Sequence, residues 1–222
     1  MSLTLAALIV SRLFWDPYWI PSGSMKPTLR VSDYISVLPM NVVPERGDVL
    51  VVEHPTRRES FAARLVGMPG ERIQMIDGVL QINDVPVQVE PAGIFAEIME
   101  PQGPLGLHPQ CANGAVGSGA VCEKTRFIET LPNGASYEIL DIGPRPTDDT
   151  GVFTVPEGHF FFIGDNRDNS NDSRNFIEAG GLGFVSEGAI VGRAARVVLP
   201  NWHEVPWWIT VLTDDRFMER IN

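Results

Sequence analysis

Lysine is almost missing from this chain. Of 222 residues only Lys26 and Lys124 carry an ammonium group, and the other basic side chains are arginines. A chemistry that needs an amine as proton acceptor therefore has two candidates at most, because arginine stays protonated in proteins. Histidine is also sparse: His54, His108, His159 and His203 stand in no recognisable triad context. Cysteine occurs twice, as Cys111 and Cys122 in a Gly/Ala-rich segment. No histidine pair lies near to complete a zinc site, so a metal is not expected. A disulfide closing a loop in an oxidising compartment is one reading of the pair, and two free thiols are the other. Positive charge is scarce as well, with 17 basic against 28 acidic residues and a formal net charge of −11. That balance argues against a nucleic-acid partner, which requires a concentrated cationic patch.

No apolar run is long enough to cross a bilayer, which takes about 20 residues. Residues 3–15 are apolar apart from Thr4, Ser11 and Arg12. A core helix, a signal-peptide core and the last turns of a membrane anchor all fit such a run. No small-x-small cleavage site follows; instead the chain continues Phe14, Trp15, Asp16, Pro17, Tyr18, Trp19, a cluster suited to the headgroup level of a membrane. The expectation is therefore that residues 1–18 are the end of an N-terminal membrane anchor, truncated or short and helical, with Trp15, Tyr18 and Trp19 at the lipid interface.

At 44% hydrophobic the chain has ample material for a core. Short runs rich in β-branched residues recur at 33–38, 48–52, 64–66, 72–75, 79–82 and 87–89, with Asp77-Gly78 as a tight hairpin signal. No 3.6-residue period interrupts them. The pattern predicts a mainly β, antiparallel domain over 19–222. From about 90 to 150 the composition shifts to Pro, Gly and Ala, which reads as a peripheral insert with strands only at 126–130 and 136–140, joined by a turn at Leu131-Pro132-Asn133-Gly134. Strands resume at 152–155, 159–163 and 188–199. The tail holds Trp202, Trp207 and Trp208, suited to a core or to a membrane-facing apron.

Two stretches carry chemistry. In Ile20-Pro21-Ser22-Gly23-Ser24-Met25-Lys26-Pro27-Thr28-Leu29, prolines three positions to either side hold Ser24 in an irregular loop, which makes it a candidate nucleophile. It lacks the Gly-x-Ser-x-Gly elbow, so a Ser-His-Asp hydrolase fits poorly. In Gly164-Asp165-Asn166-Arg167-Asp168-Asn169-Ser170-Asn171-Asp172-Ser173-Arg174, short polar side chains are suited to bracing a site by local hydrogen bonds.

These two stretches, together with Arg64-Leu65-Val66-Gly67-Met68-Pro69-Gly70-Glu71 between them and Gly47-Asp48-Val49 ahead of it, resemble bacterial type I signal peptidases. The resemblance implies a membrane-bound serine endopeptidase on the outer, periplasmic face of the inner membrane. It would cut signal peptides from exported preproteins at small-x-small sites, with the lipid bilayer as its other partner and no cofactor. It also implies a Ser-Lys dyad, in which burial depresses a lysine pKa until the neutral amine can take the serine proton. Residue by residue it makes Ser24 the nucleophile, and Ser22 an oxyanion donor beside the Ser24 N–H. Ser170 and Asp172 become supports of the site, and Arg64, Asp165 and Arg174 structural partners of the polar run. It gives no oligomeric state. The peptide would add to a sheet edge near Ser24, with Ile20, Pro21 and residues 31–37 near its pockets.

The chain departs from the family where the general base belongs, immediately before Arg64. That position is Ala63. A methyl group accepts no proton, and losing a general base costs roughly 10²–10⁴-fold in rate, which predicts an inactive or nearly inactive chain. Lys26, two residues beyond Ser24, points to the same side if the strand is extended, and Lys124 reads as a solvated strand lysine. Ala63 is compatible with a deliberate lysine-to-alanine change, or with a natural paralogue that binds signal peptides or serves as a partner subunit.

Overall fold

The computed structural model describes residues 16–39, 43–103, 105–200 and 214–221. The anchor helix expected before residue 16, Trp15, His203 and the tail tryptophans lie outside the described residues. The strands are β1 (Asp16–Trp19), β2 (Tyr34–Pro39), β3 (Val49–Glu53), β4 (Ser60–Gly67), β5 (Arg72–Ile76), β6 (Val79–Ile82) and β7 (Val85–Pro86). They continue with β8 (Gln88–Ile98), β9 (Val121–Thr130), β10 (Ser136–Asp141), β11 (Phe153–Thr154), β12 (His159–Ile163), β13 (Val185–Ser186) and β14 (Ile190–Leu199). Among the described residues, helix is limited to single 3₁₀ turns, and no helix is long and apolar enough to cross a membrane.

The expected mainly β, antiparallel fold is what forms. One seven-stranded sheet runs β1-β2-β14-β3-β4-β12-β13, a four-stranded sheet runs β11-β5-β6-β7, and a three-stranded sheet runs β10-β9-β8. Alternation along the central strands explains their unbroken apolar sequences. In β3, Val49 and Val51 pack with Ile20, Met25, Leu29 and Ile35, whereas Leu50 and Val52 face the other way, toward Ala63, Leu65, Phe160 and Phe162. Phe161 and Ile163 of β12 join a further cluster with Ile73, Met75, Leu80 and Tyr137. A sheet covered on both faces needs apolar residues at every position.

The hairpin signal at Asp77-Gly78 is realised. Both residues have positive φ, and Ile76 pairs with Val79 across the turn. The expected 131–134 turn joins β9 to β10, with Thr130 opposite Ser136. The run expected at 87–89 is the start of β8, whose continuation into the insert was missed by sequence reasoning and which pairs with β9 over Gln88 to Ile98. Pro91 and Gly93 hide it, and the pairing register shifts between those two residues, where a bulge accommodates both. Cys111 and Cys122 form a disulfide, S–S 2.04 Å, which decides between the two readings of the pair. At the other end, β1 pairs with β2 through residue 19. The large sheet thus begins before the boundary at 18, and Tyr18 packs against the Ile20–Met25 cluster.

Gly67 occupies the tightest crossing in β4. A Cβ there would stand 2.7 Å from Phe161 Cβ and 2.8 Å from Ile73 Cγ1. Gly67→Ala is expected to lower unfolding free energy by about 1–3 kcal/mol through overpacking, seen as a lower urea midpoint with an unchanged slope.

Candidate functional site

Ser24 lies on the loop between β1 and β2, which is pinned at its ends and middle. Ile20 N–H donates to Asp33 O and Ser32 N–H to Ile20 O, each at 2.8 Å, while Met25 and Leu29 are buried anchors. The polar run clasps the loop from outside. Asn166 donates its backbone N–H to Ser24 O at 2.9 Å and its side-chain amide to Gly23 O at 2.8 Å. Asn166 was not singled out from the sequence, although its amide in the middle of a polar run was the available signal. The Ser24 side chain takes no part in this clasp. Its Oγ stands 3.2 Å from Ser22 Oγ.

Both hydroxyls line a cavity of about 350 Å³, walled by Tyr18, Trp19, Ile20, Pro21, Met25, Val51, Glu59, Ser60, Phe61, Ala62 and Leu105. No lysine and no histidine is among these lining residues. Of the pocket residues expected from the sequence, Ile20 and Pro21 are there, while the 31–37 segment contributes none. Alternation along β4 gives the cavity Ala62, whereas Ala63 is buried in the apolar cluster with Leu50, Val52, Leu65, Phe160 and Phe162.

Both lysines are committed elsewhere. Lys26 is buried and pairs with Glu97, and it also donates to Gln102 Oε1 at 2.6 Å. Burial pushes its pKa below the ordinary lysine value, partly offset by Glu97. Lys124, expected to be solvated, is instead 1% exposed and pairs with the same Glu97. The sequence reading failed here because a strand lysine normally keeps its head in water, and the carboxylate that draws it inward sits on the missed part of β8. Of the described histidines, none lines the cavity; His54 Nδ1 accepts from Thr56 and Arg57 N–H instead.

The polar residues expected to support the site do meet. Arg64 grips Asp165 through Nε and Nη2, each at 2.7 Å, and donates to Gly47 O at 2.7 Å. Thr28 Oγ1 donates to the same carboxylate at 2.5 Å, tying the serine loop to it. Arg174 holds Asp172 at 2.8 and 2.9 Å, and Asp172 also accepts from Gly164 N–H and the Ser170 hydroxyl. Beneath them lies a second buried group that the sequence did not reveal. Arg167 pairs with Glu129, which accepts from Tyr137, and Tyr137 lies with its ring under the Arg64 guanidinium at 3.8 Å. Burial and the Glu129 charge drive the Tyr137 pKa well up. Among the described residues no cluster of His, Cys, Asp and Glu is arranged to hold a metal ion.

The chain matches the family model described as signal peptidase, peptidase S26, over residues 1–199. The chain belongs to this family. It is 31% identical to a signal peptidase I of Rickettsia typhi and 32% identical to one of Rickettsia canadensis. Each alignment covers 91% of this chain, with 78% and 77% of the respective relative. A crystal structure of a signal peptidase I from Enterococcus faecalis is a remote likeness, with TM-score 0.36 and 23% identity, covering 68% of this chain and 97% of that one. In this signal peptidase chain the loop with Ser24 is tied to the β4 arginine and the polar run through Asp165 and Asn166, while neither Arg64 nor the polar run lines the cavity beside Ser24.

Two outcomes follow from this geometry. A Cβ on Gly164 would fall 2.7 Å from Ser24 O and 2.5 Å from Ser170 Cβ, so Gly164→Ala pushes the serine loop off Asn166. It should cost about 1–3 kcal/mol of stability, with earlier hydrogen exchange at the Asn166 N–H. The second concerns acid. Burial raises the Asp172 pKa, but Arg174 and the donated hydrogen bonds outweigh it and hold the carboxyl below its usual range; Glu97 is held down likewise by its lysines. Depressed carboxyl groups stabilise the fold above their unfolded values near ~4, and the contribution is lost as pH falls through the folded values. The thermal midpoint should be level from about pH 7 to 5 and drop below about pH 4, with a shallower drop in Asp172→Asn.

Proposed function

We propose that this chain recognises signal peptides of exported preproteins in the cavity beside Ser24, as a membrane-bound serine endopeptidase that lacks its general base. Ser24 is the nucleophile position, and Ser22 with the Ser24 N–H is the oxyanion site. Ser170, Asp165, Asp172, Arg64 and Arg174 hold the loop that carries them. The catalytic domain would work on the periplasmic face of the inner membrane, where an oxidising environment suits the Cys111–Cys122 bond.

One observation carries the reading. A cavity with apolar walls from Ile20, Met25, Val51 and Ala62 presents two serines whose hydroxyls stand 3.2 Å apart, yet among the described residues no amine or imidazole lines it. Apolar walls of that size take small side chains of an extended peptide. A serine hydroxyl without a base holds its proton at neutral pH, so bound peptide stays uncut or nearly so. Lys26 does not fill the gap, because its ammonium is spent on Glu97 and Gln102. The second reading, a paralogue that binds signal peptides or assists a partner subunit without cutting, draws on the same observation.

The test compares this chain with Ala63→Lys on a preprotein whose signal peptide ends in Ala-x-Ala. The lysine side chain would start among Leu50, Phe160 and Phe162, on the face of β4 turned away from Ala62 and the cavity, so cleavage depends on its long stem carrying the amine round to Ser24 from surroundings that depress an amine pKa. Cleavage should rise by at least about 10²-fold in the variant. Cleavage by the unaltered chain would overturn the assignment of Ala63, and binding without cleavage in both would favour the paralogue reading.

A further inference from the structure

Residues 99–120 join β8 to β9 and, though part of an insert expected to be peripheral, come back to the serine loop at two places and to the polar run at a third. Gln102 accepts from Lys26 Nζ at 2.6 Å and donates to Glu97 Oε2 at 2.8 Å. Gly103 lies so close to Val31 that a Cβ on it would be 2.6 Å from Val31 Cγ1. Gln110 donates its amide to Asn169 Oδ1, in the polar run, at 2.9 Å. The disulfide from Cys111 to Cys122 then fastens the end of the segment to β9. Between these fixings Leu105, 62% exposed, lines the same cavity as Ser22, Ser24 and Ala62.

The fixing is strongest at Glu97. This β8 carboxylate is shared by Lys26 of the serine loop and Lys124 of β9, both buried, so the chain's two lysines converge on one acceptor. Glu97 keeps all of its hydrogen-bond partners only while insert and serine loop stay in contact. An apolar side chain left in water at the rim of a cavity, on a segment clamped from both sides, is a surface a bound peptide would cover.

We infer that the insert forms one rim of the peptide cavity, with Leu105 as a specificity-determining residue and Glu97 as the residue that positions it. The inference rests on the reading of this cavity as the signal-peptide site. Leu105 narrows the mouth, so small side chains enter and large ones meet its isobutyl group. Glu97 acts at a distance, by keeping Gln102 and the segment after it against Lys26.

Two fluorescently labelled peptides test this by anisotropy, one ending in Ala-x-Ala and one in Leu-x-Leu, with the unaltered chain as reference. The unaltered chain should favour the alanine peptide, and Leu105→Ala should shrink that preference by about tenfold. Glu97→Gln, or Gln102→Ala if the first variant folds poorly by circular dichroism, should shrink it in the same direction with every lining residue of the cavity unsubstituted. A merely structural role would weaken both peptides equally. An unchanged preference in Leu105→Ala, with both peptides still bound, overturns the rim, and an unchanged preference in the folded positioning variant overturns the role of Glu97. If the unaltered chain binds neither peptide, the reading of the cavity falls, and this inference with it.

Discussion

The ion pair between Arg64 and Asp165 is the constraint on which the site depends. Both side chains are 1% exposed, and a charge so placed is tolerable only with its partner and a full set of hydrogen bonds. Arg64 comes from β4 of the large sheet, and Asp165 opens the polar run after β12. Thr28 adds the serine loop, Gly47 O adds the approach to β3, and Tyr137 brings β10 beneath the guanidinium. Breaking such a pair by removing one member costs about 3–5 kcal/mol. Here the loss would fall where five separate chain segments meet.

A second tier follows from the first. Asp165 fixes the start of the polar run, and the next residue, Asn166, reaches the carbonyls of Gly23 and Ser24. Asp172 and Arg174 close the run on itself, with Gly164 N–H and Ser170 as further donors to Asp172. Polar side chains that would be poor core material bond to one another and to the main chain here, and such networks rigidify the backbone they touch.

Much of this was legible in the sequence where local chemistry decides. Asp77-Gly78 needs positive φ and gave the hairpin. Alternating and continuous apolar runs gave β2, β3, β4 and β12. The motif residues Ser24, Arg64, Asp165 and Asp172 were found through the resemblance of their motifs to those of the family. What stayed hidden depends on partners far away in the chain. Strand β8 contains Pro91 and Gly93, and only its pairing with β9 makes it a strand. Lys124 has no local sign of burial, since Glu97 lies 27 residues earlier. Leu105 sits in a Gly/Pro-rich segment with no period, and its place at the cavity comes from Gln102 and Gly103 meeting the serine loop.

The Asn166 clasp on the serine loop holds only main-chain atoms. Asn166 binds two carbonyls and makes no demand on the hydroxyl they carry. Architecture and reactivity are thus wired separately, and the scaffold does not register whether a proton acceptor stands near the serine. An alanine in the strand next door leaves that scaffold whole. A frame built this way lets the side chains around the serine hydroxyl vary while the mould that carries it stays the same.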